Sequence, residues 1–380
     1  MTTNAFSALA PLTARERWTL GAFCAVYAAT VVVLRIHHGG DVVPEIALSE
    51  RWLSGEPLYQ SDLPFQGTRW PPLALVALVP FALIARASLA VAAAAWSVFG
   101  VACLGVAVAL ARRWGWKAAI LALACTAVPL QTNFEHRNMN TVLLALVVAA
   151  AADLDEARET RAGLWLGLAT ALKVFPALLL VYLAVRGHWR ALAVATAVAA
   201  GGTLLALAPY GAAGGSAAAG NWLRLSLDQT QWQLATSDQS LRALVLRLGG
   251  PLEAALGVAA VCLGASLIVA RPLPGLGAMT LAAVLASPIA WVHYYVLAFP
   301  AWLAVLQRVD DRKGGGGLGG RGVALAFAAA ATSGWLTVGP RPLRALLLGG
   351  SIYAWGGLVL LALVVARAFE RTTIGARAPR

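Results

Sequence analysis

The chain has 380 residues, of which 60% are hydrophobic and only 12% are charged, and its mean hydropathy is +0.74. Soluble domains are about 45–50% apolar and about 25% charged, so this composition excludes a soluble protein and indicates a chain that crosses a membrane many times. Basic residues in cytoplasmic loops account for most of the net charge of +12, so we expect no nucleic-acid partner.

Apolar runs close to the length of a membrane span recur along the whole chain. A spanning helix needs roughly 20 apolar residues. Two runs are unusual, because 71–85 contains three prolines and because Lys173 and Pro176 interrupt 162–185. Besides 162–185, the predicted spans are 17–36, 88–111, 117–132, 139–153, 190–209, 253–270, 275–290, 293–307, 322–338 and 346–367.

The charged linkers between these runs distinguish two topologies. Loops rich in Lys and Arg stay in the cytoplasm. The basic linkers are 112–117, 153–161, 186–190 and 308–313. They share one side only if 71–85 does not cross and if 162–185 crosses twice as two half-helices. In the alternative topology, 71–85 crosses the membrane as a full span, and two of the basic linkers lie on the outer side. We favour the first, with about twelve transmembrane helices and both termini in the cytoplasm.

This topology predicts a single integral membrane domain, 1–380, that is all-α and polytopic. Its first outer loop, 37–87, is expected to carry juxtamembrane or re-entrant helices, because such backbone is tolerated where protein covers it or where it lines a wet cavity. A second large outer loop covers 210–250, and the glycine-rich 308–321 indicates a flexible cytoplasmic linker.

Within the second outer loop, "TSDQSLRALVLRLGG" predicts an amphipathic helix over 236–248. Ser237 or Asp238 is the expected N-cap, and Gly249 follows the last turn. Arg242 lies off the apolar face. It either faces lipid headgroups or meets the phosphate of a bound lipid.

Polar residues at the outer ends of spans are the candidates for chemistry. Lys173 inside a span is costly and indicates function, unless its ammonium snorkels to the outer surface. His293 lies at an outer helix end, where it is either functional or a satisfied polar group. The segment "NFEHRNMN" (133–140) is too polar for an ordinary short turn. The alternative is that its polar side chains only hydrate the end of a helix.

The order of several motifs resembles a known family. An aspartate after the first span is followed by "SGEPLY", "RWPPLALVALVPFALI", Asn140 at the start of a helix, "AGLWLGLATALKVFPALLLVYLAVRGHWRA", "DQSLRALVLRL" and "SPIAWVHYY". Over roughly residues 15–310, these segments resemble the glycosyltransferase 87 family of C-type membrane glycosyltransferases. That family includes polyprenyl-phosphomannose-dependent mannosyltransferases and an arabinofuranosyltransferase branch.

The resemblance implies a GT-C-like helix bundle in a bacterial inner membrane. The implied reaction is an inverting transfer at the periplasmic face, from a polyprenyl-phosphate sugar to a hydroxyl of a lipid or glycan acceptor. Mannose is the favoured sugar and arabinofuranose the alternative. We expect membrane lipids to surround the protein, and we expect no cofactor or metal. The sequence does not indicate the oligomeric state. The chain departs from the family pattern at Trp70, at Asn138-Met139 and at Tyr294, which affects the sugar and the acceptor more than the reaction.

The resemblance also implies roles for individual residues. Asp41 matches the catalytic acidic residue of the family and suits a general base. Glu45 and Asp62 are the alternative candidates for the base. Lys173, helped by His293 or Arg242, is expected to face the leaving phosphate. Gly39 and Gly40 let the chain bend sharply at Asp41. The predicted substrate contacts are Glu45, Tyr59, Trp70, Glu135, His136, Asn140, Gln239, Ser240 and Trp291.

Two other classes of protein use similar features. A secondary transporter or a lipid flippase also uses half-helices and a lysine within the membrane. Transporters tend to repeat the broken helix in their second half, and 162–185 has no clear partner there. A purely structural membrane partner does not explain the polar first outer loop.

Overall fold

The computed structural model describes residues 12–35, 40–59, 70–227, 235–307 and 320–375. These residues form helices joined by turns, with an isolated β-bridge between Asp238 and Trp291. The helices are α1 (Ala14–Arg35), α2 (Val42–Leu53), α3 (Pro72–Ala77), α4 (Val79–Ala85), α5 (Leu89–Ala111), α6 (Trp116–Ala124), α7 (Ala127–Glu135), α8 (Asn140–Asp155), α9 (Glu159–Leu172), α10 (Leu178–Val185), α11 (Trp189–Leu207), α12 (Gly211–Leu227), α13 (Leu241–Arg247), α14 (Leu252–Leu267), α15 (Pro272–Ala286), α16 (Phe299–Leu306), α17 (Gly320–Ser333), α18 (Arg341–Gly349) and α19 (Ile352–Gly375).

Three helical stretches of the described chain are long and apolar enough to cross a membrane, judged by length and composition: Leu89–Trp114, Trp189–Ser226 and Ile352–Phe369. Shorter apolar helices cover Phe175–Val185, Leu252–Leu267, Pro272–Ala286 and Val292–Leu306. Several predicted spans are therefore divided rather than continuous. The predicted span 117–132, for example, is divided between α6 and α7 at Cys125 and Thr126.

The predicted break in 162–185 is present. Helix α9 ends at Leu172, Lys173 is extended (φ −155°, ψ 139°), and a 3-10 turn covers Phe175–Ala177 before α10. Pro176 stands in this turn because proline lacks the N–H that a helix interior requires.

Glycine contacts show that α9 and α11 run in the same direction. A Cβ on Gly163 would lie 2.4 Å from the carbonyl oxygen of Ala191, and one on Gly167 would lie 2.7 Å from that of Ala195. Both helices advance by four residues between these contacts, so they are parallel and closely packed. Helix α10 lies between them in the sequence and must therefore return in the opposite direction, as expected for two half-helices.

The stretch 71–85 folds back on α2 in the first outer loop. It is divided at Leu78 into α3 and α4, which are too short to span a bilayer. The hydroxyl of Ser49 on α2 donates to the carbonyl oxygen of Leu75 at 2.7 Å. Arg86 pairs with Glu50 at 3.0 Å, at an exposed position where such a pair contributes little stability.

Three of the basic linkers meet at one end of the bundle. Arg113 pairs with Glu156 at 2.6 Å and joins 112–117 to 153–161. His188 contacts Glu159 at 3.0 Å and brings 186–190 to the same place. The fourth linker, 308–313, lies outside the described residues. The first three thus share a side, as the positive-inside rule requires.

The second outer loop differs from its prediction because it begins with a helix. The Ala-rich "GAAGGSAAAG" forms α12, since alanine has the highest helix propensity and offsets the glycines. The short helix predicted over 236–248 covers only Leu241–Arg247, and Ser240 is its N-cap rather than Ser237 or Asp238. Asp238 instead accepts hydrogen bonds from the backbone N–H groups of Ser240 and Ala290, both at 3.0 Å.

Candidate functional site

A large cavity of about 2400 Å³ lies within the bundle. Its wall comes from α1, α6, α7, the end of α12, α18 and the turns that carry Asp41, Lys173 and His293. Along α1 it extends from Arg15 to Tyr27, which is about 18 Å of helix. Most of this stretch is apolar, so the cavity combines a long apolar groove with a polar end.

Asp41 stands at the polar end because of a tight turn after α1. Its N–H donates to the carbonyl oxygen of His136 at 2.7 Å. Gly40 adopts φ +84°, and a Cβ there would lie 2.7 Å from that same oxygen. Only glycine tolerates both conditions. The Asp41 side chain does not cap α2 and is 40% exposed, so its carboxylate is open to the cavity.

One amide side chain connects Asp41 with Lys173. Asn138 Nδ2 donates to Asp41 Oδ2 at 2.7 Å, and Asn138 Oδ1 accepts from Lys173 Nζ at 3.1 Å. Asn140 Oδ1 accepts a second hydrogen bond from Lys173 Nζ, also at 3.1 Å. The carboxylate and the ammonium are thus held close together without touching.

Lys173 reaches this position because the chain is extended between α9 and α10. Its Nζ lies 4.0 Å from the ring centroid of Tyr294 and 5.8 Å from that of Phe175, both within cation–π range. Among the described residues, no carboxylate forms an ion pair with Lys173. Neutral amides and aromatic faces orient the ammonium and leave it without a direct ion pair, which suits an anionic ligand.

Two histidines complete the polar end. His293 Nε2 lies 3.9 Å from Asp41 Oδ2, and the His293 and His136 rings are 5.0 Å apart. The carbonyl oxygen of His293 accepts from Asn140 Nδ2 at 3.2 Å. Asn140 therefore fixes the His293 backbone as well as the Lys173 ammonium.

The cavity brings most of the predicted site residues together. Glu45, Trp70, Glu135, His136 and Trp291 line it with Asp41, Lys173 and His293. Glu45 is almost fully buried, and its Oε1 accepts from the Trp70 N–H at 3.4 Å. Asn140 lies behind Lys173, as a buried partner of the ammonium.

Four further predicted residues also lie away from the cavity wall, namely Tyr59, Arg242, Gln239 and Ser240. Tyr59 is fully buried and donates its hydroxyl to the Trp70 carbonyl oxygen at 2.8 Å, so it supports Trp70 from behind. Arg242 on α13 does not line the cavity that contains Lys173, and its predicted help in binding the donor phosphate stays a prediction. Asp62, His37, His38 and Gly39 fall outside the described residues.

Gln239 and Ser240 have structural partners, and their predicted contact with substrate stays a prediction. Ser240 Oγ caps α13 by accepting from the Ala243 N–H at 3.1 Å. Gln239 is fully buried, and its side chain donates to the Leu348 carbonyl oxygen at 2.9 Å. Burial also raises the pKa of the neighbouring Asp238, although hydrogen bonds from the backbone N–H groups of Ala290 and Ser240 oppose the shift.

Sequence reasoning gave no site role to two residues that contact Lys173, namely Asn138 and Tyr294. Both are positions where the chain departs from the family pattern. A cluster of departures around one mid-span lysine was the available signal, but the separation of the two residues along the chain hid it.

Comparisons with known proteins identify the family. Residues 69–288 match the family model of Glycosyltransferase family 87. A polyprenol-phosphate-mannose-dependent alpha-(1-2)-phosphatidylinositol mannoside mannosyltransferase of Mycolicibacterium smegmatis is 35% identical over 167 residues, which are 36% of each chain. The protein of the same description from Mycobacterium tuberculosis is 28% identical over 298 residues, which are 67% of each chain. The chain thus matches about a third of the first relative's length and two thirds of the second's.

A solved structure shares the fold. The crystal structure of ArnT from Cupriavidus metallidurans, bound to undecaprenyl phosphate, superposes with a TM-score of 0.50 at 19% identity, over 94% of this chain and 79% of that chain. At this identity the match shows the fold alone. The family match covers more than half of the chain and confirms the predicted resemblance. The protein is a multi-pass membrane enzyme that belongs to glycosyltransferase family 87.

Proposed function

We propose that the enzyme moves a sugar from a polyprenyl-phosphate donor to a hydroxyl of a lipid or glycan acceptor, with inversion. Mannose is the favoured sugar and arabinofuranose the alternative. The observation that carries the proposal is the Asp41 carboxylate and the Lys173 ammonium held on one amide at the end of an apolar groove. The relatives, whose names state polyprenol-phosphate-mannose and a phosphatidylinositol mannoside, support the donor and a lipid acceptor.

The groove beside α1 suits the lipid chain of the donor. Leu20 and Phe23 of α1 and Ile120 and Leu123 of α6 line the cavity. A polyprenyl chain that lies along them brings its phosphate to Lys173. Burying the chain there stabilises binding by roughly 25 cal/mol for each Å² of apolar surface removed from water.

In the proposed reaction, the acceptor hydroxyl attacks the anomeric carbon from the side opposite the phosphate. Asp41 takes the hydroxyl proton as the new glycosidic bond forms. The bond between the anomeric carbon and the phosphate oxygen breaks, and its electron pair stays with the polyprenyl phosphate. Lys173 faces the negative charge that gathers there. Asp41 then loses the proton to water. No step calls for a metal, and metal independence stays a prediction.

Asn138 has a positioning role in this mechanism. A direct ion pair between Asp41 and Lys173 would reduce the basicity of the carboxylate and the attraction of the ammonium for phosphate. The bridging amide donates to one group and accepts from the other, so it satisfies both without neutralising either. Both groups then remain available to the substrates.

Replacing Asn138 with Ala is expected to lower kcat/KM by about 10–100-fold, the value of a hydrogen bond to a charged group. The shortened side chain no longer holds the Asp41 carboxylate and the Lys173 ammonium apart in their present positions. Asn133→Ala is the control, because Asn133 supports the same turn by donating to the Asn138 carbonyl oxygen at 3.1 Å. It should lower kcat/KM much less. Equal losses of kcat/KM in the two variants would contradict a specific role for the Asn138 amide.

The proposed orientation places this polar end at the periplasmic face of a bacterial inner membrane. The basic linkers meet at one end of the bundle, where Arg112 lies 3.6 Å from Glu16 at the start of α1, whereas Asp41 follows the end of α1. The parallel α9 and α11 support twelve crossings of one membrane domain, with 37–87 and 210–250 outside.

The assay uses purified protein, a radiolabelled mannosyl polyprenyl phosphate and extracted cell-envelope lipids. We expect the label to move to a new lipid product, only when the extract is present. A parallel reaction with an arabinofuranosyl donor tests the alternative sugar. Passage of the label across a vesicle membrane without a new product would instead establish a transporter or flippase.

A further inference from the structure

Helix α18 presents a charged face to the cavity. Arg341, Arg344, Ala345 and Leu348 all line the cavity, and their i, i+3, i+4, i+7 spacing places them on one side of the helix. Leu343 and Leu346 point the other way and are 44% and 72% exposed. The cations of α18 therefore belong to the cavity wall, whereas Leu343 and Leu346 face outward.

The position of α18 is fixed by contacts at its C-terminal end. The carbonyl oxygen of Leu348 accepts from Gln239 Nε2 at 2.9 Å and from Arg247 Nη1 at 3.3 Å. Both donors lie in the second outer loop, around α13. This anchoring holds the two arginines at the cavity before any ligand arrives.

The two guanidinium groups have no partner within the part of the chain that the structure describes. The carboxylates that line the same cavity are engaged elsewhere. Asp41 accepts from Asn138, Glu16 accepts from Trp116 Nε1 at 2.6 Å, and Glu45 accepts from the Trp70 N–H. Two cations therefore face the cavity with no described carboxylate paired to them.

We infer that Arg341 and Arg344 bind the phosphate of an anionic phospholipid that serves as the acceptor. This rests on the proposed function, in which the donor phosphate occupies Lys173 and a second lipid must bring its hydroxyl to Asp41. Guanidinium groups match phosphate oxygens with pairs of parallel hydrogen bonds. The exposed indole of Trp335, together with Val338 and Leu348, supplies apolar surface beside them for the lipid.

A free phosphate ion offers the same chemistry as a lipid phosphate, but the surroundings favour the lipid. The cavity lining next to the arginines is apolar and gives no advantage to a hydrated ion. The two arginines are carried by α18, whereas Lys173 lies in the turn between α9 and α10. The enzyme thus has separate cations for donor and acceptor.

The test measures binding of radiolabelled phosphatidylinositol to the full-length protein in phosphatidylcholine nanodiscs. The variant Arg341→Gln/Arg344→Gln is expected to bind at least about tenfold more weakly, because charge-assisted hydrogen bonds are lost. The control Arg190→Gln/Arg224→Gln removes two exposed charges outside the cavity wall and should bind like the wild type. Neither α18 guanidinium group bonds to a described residue, so the variant should unfold at the wild-type temperature.

Competition and kinetics complete the experiment. Excess inorganic phosphate should not displace the lipid, and displacement would overturn the inference. In the transfer assay, the Arg341→Gln/Arg344→Gln variant should have a higher KM for phosphatidylinositol as acceptor. Its KM for the donor should equal that of the wild type. Lipid binding that does not depend on the two arginines would also overturn the inference. Arginine-dependent binding by a protein that transfers no sugar would keep the site and reject the proposed function.

Discussion

Replacing Asp41 with Asn should reduce sugar transfer by about 10²–10⁴-fold, the usual contribution of a general base. The amide has nearly the same shape but does not take a proton. Its oxygen still accepts from Asn138 Nδ2, so the turn after α1 should persist. Donor binding should stay close to that of the wild type, because the groove and Lys173 are unchanged. Transfer by purified protein, with donor binding measured in parallel, provides the check.

The control for this variant is Glu50→Gln on α2. Glu50 undergoes the same change from carboxylate to amide, but it pairs with Arg86 at the surface and does not line the cavity. It should transfer sugar at the wild-type rate. Wild-type turnover by Asp41→Asn would remove Asp41 from the mechanism and turn attention to Glu45, the buried carboxylate that also lines the cavity.

Replacing Lys173 with Met should lower kcat by about 10²–10³-fold, the cost of removing one preorganised donor from a developing negative charge. Methionine has a similar length and fills the space beside Tyr294. Inhibition by polyprenyl phosphate, the released product, should weaken in this variant and persist in Asp41→Asn. That difference separates phosphate binding from base catalysis.

Stability must be measured together with the kinetics of Lys173→Met. Asn138 Oδ1 and Asn140 Oδ1 lose their donor, which costs about 1–3 kcal/mol for each buried group left unsatisfied. Removing a partly buried charge offsets some of this loss. Lys117→Met is the matched control, because Lys117 is exposed at the opposite end of the bundle. Unchanged product inhibition in a folded Lys173→Met protein would contradict the assignment.

The sequence predicted those features of the fold that follow from local chemistry. A proline and a lysine in the middle of an apolar run required a break, and α9 ends at Leu172 as expected. The positive-inside rule placed three basic linkers on one side, and ion pairs such as Arg113–Glu156 join them. Glycine before Asp41 indicated a sharp turn, and Gly40 has a positive φ.

The sequence did not predict contacts between distant segments. Asn138 lies 97 residues from Asp41 and 35 from Lys173, so only the fold shows that its amide bridges the two. Gln239 seemed free to meet a substrate, but Leu348, which lies 109 residues away, accepts its hydrogen bond. A polar side chain in an outer loop therefore has no predictable role until the neighbouring helices are in place.

The most direct test of the proposed site is a structure of the Asp41→Asn protein with an intact polyprenyl-phosphate sugar. We expect a phosphate oxygen within hydrogen-bond distance of Lys173 Nζ, the lipid chain between α1 and α6, and the anomeric carbon turned toward residue 41. A phosphate bound away from Lys173, or a sugar turned away from residue 41, would contradict it.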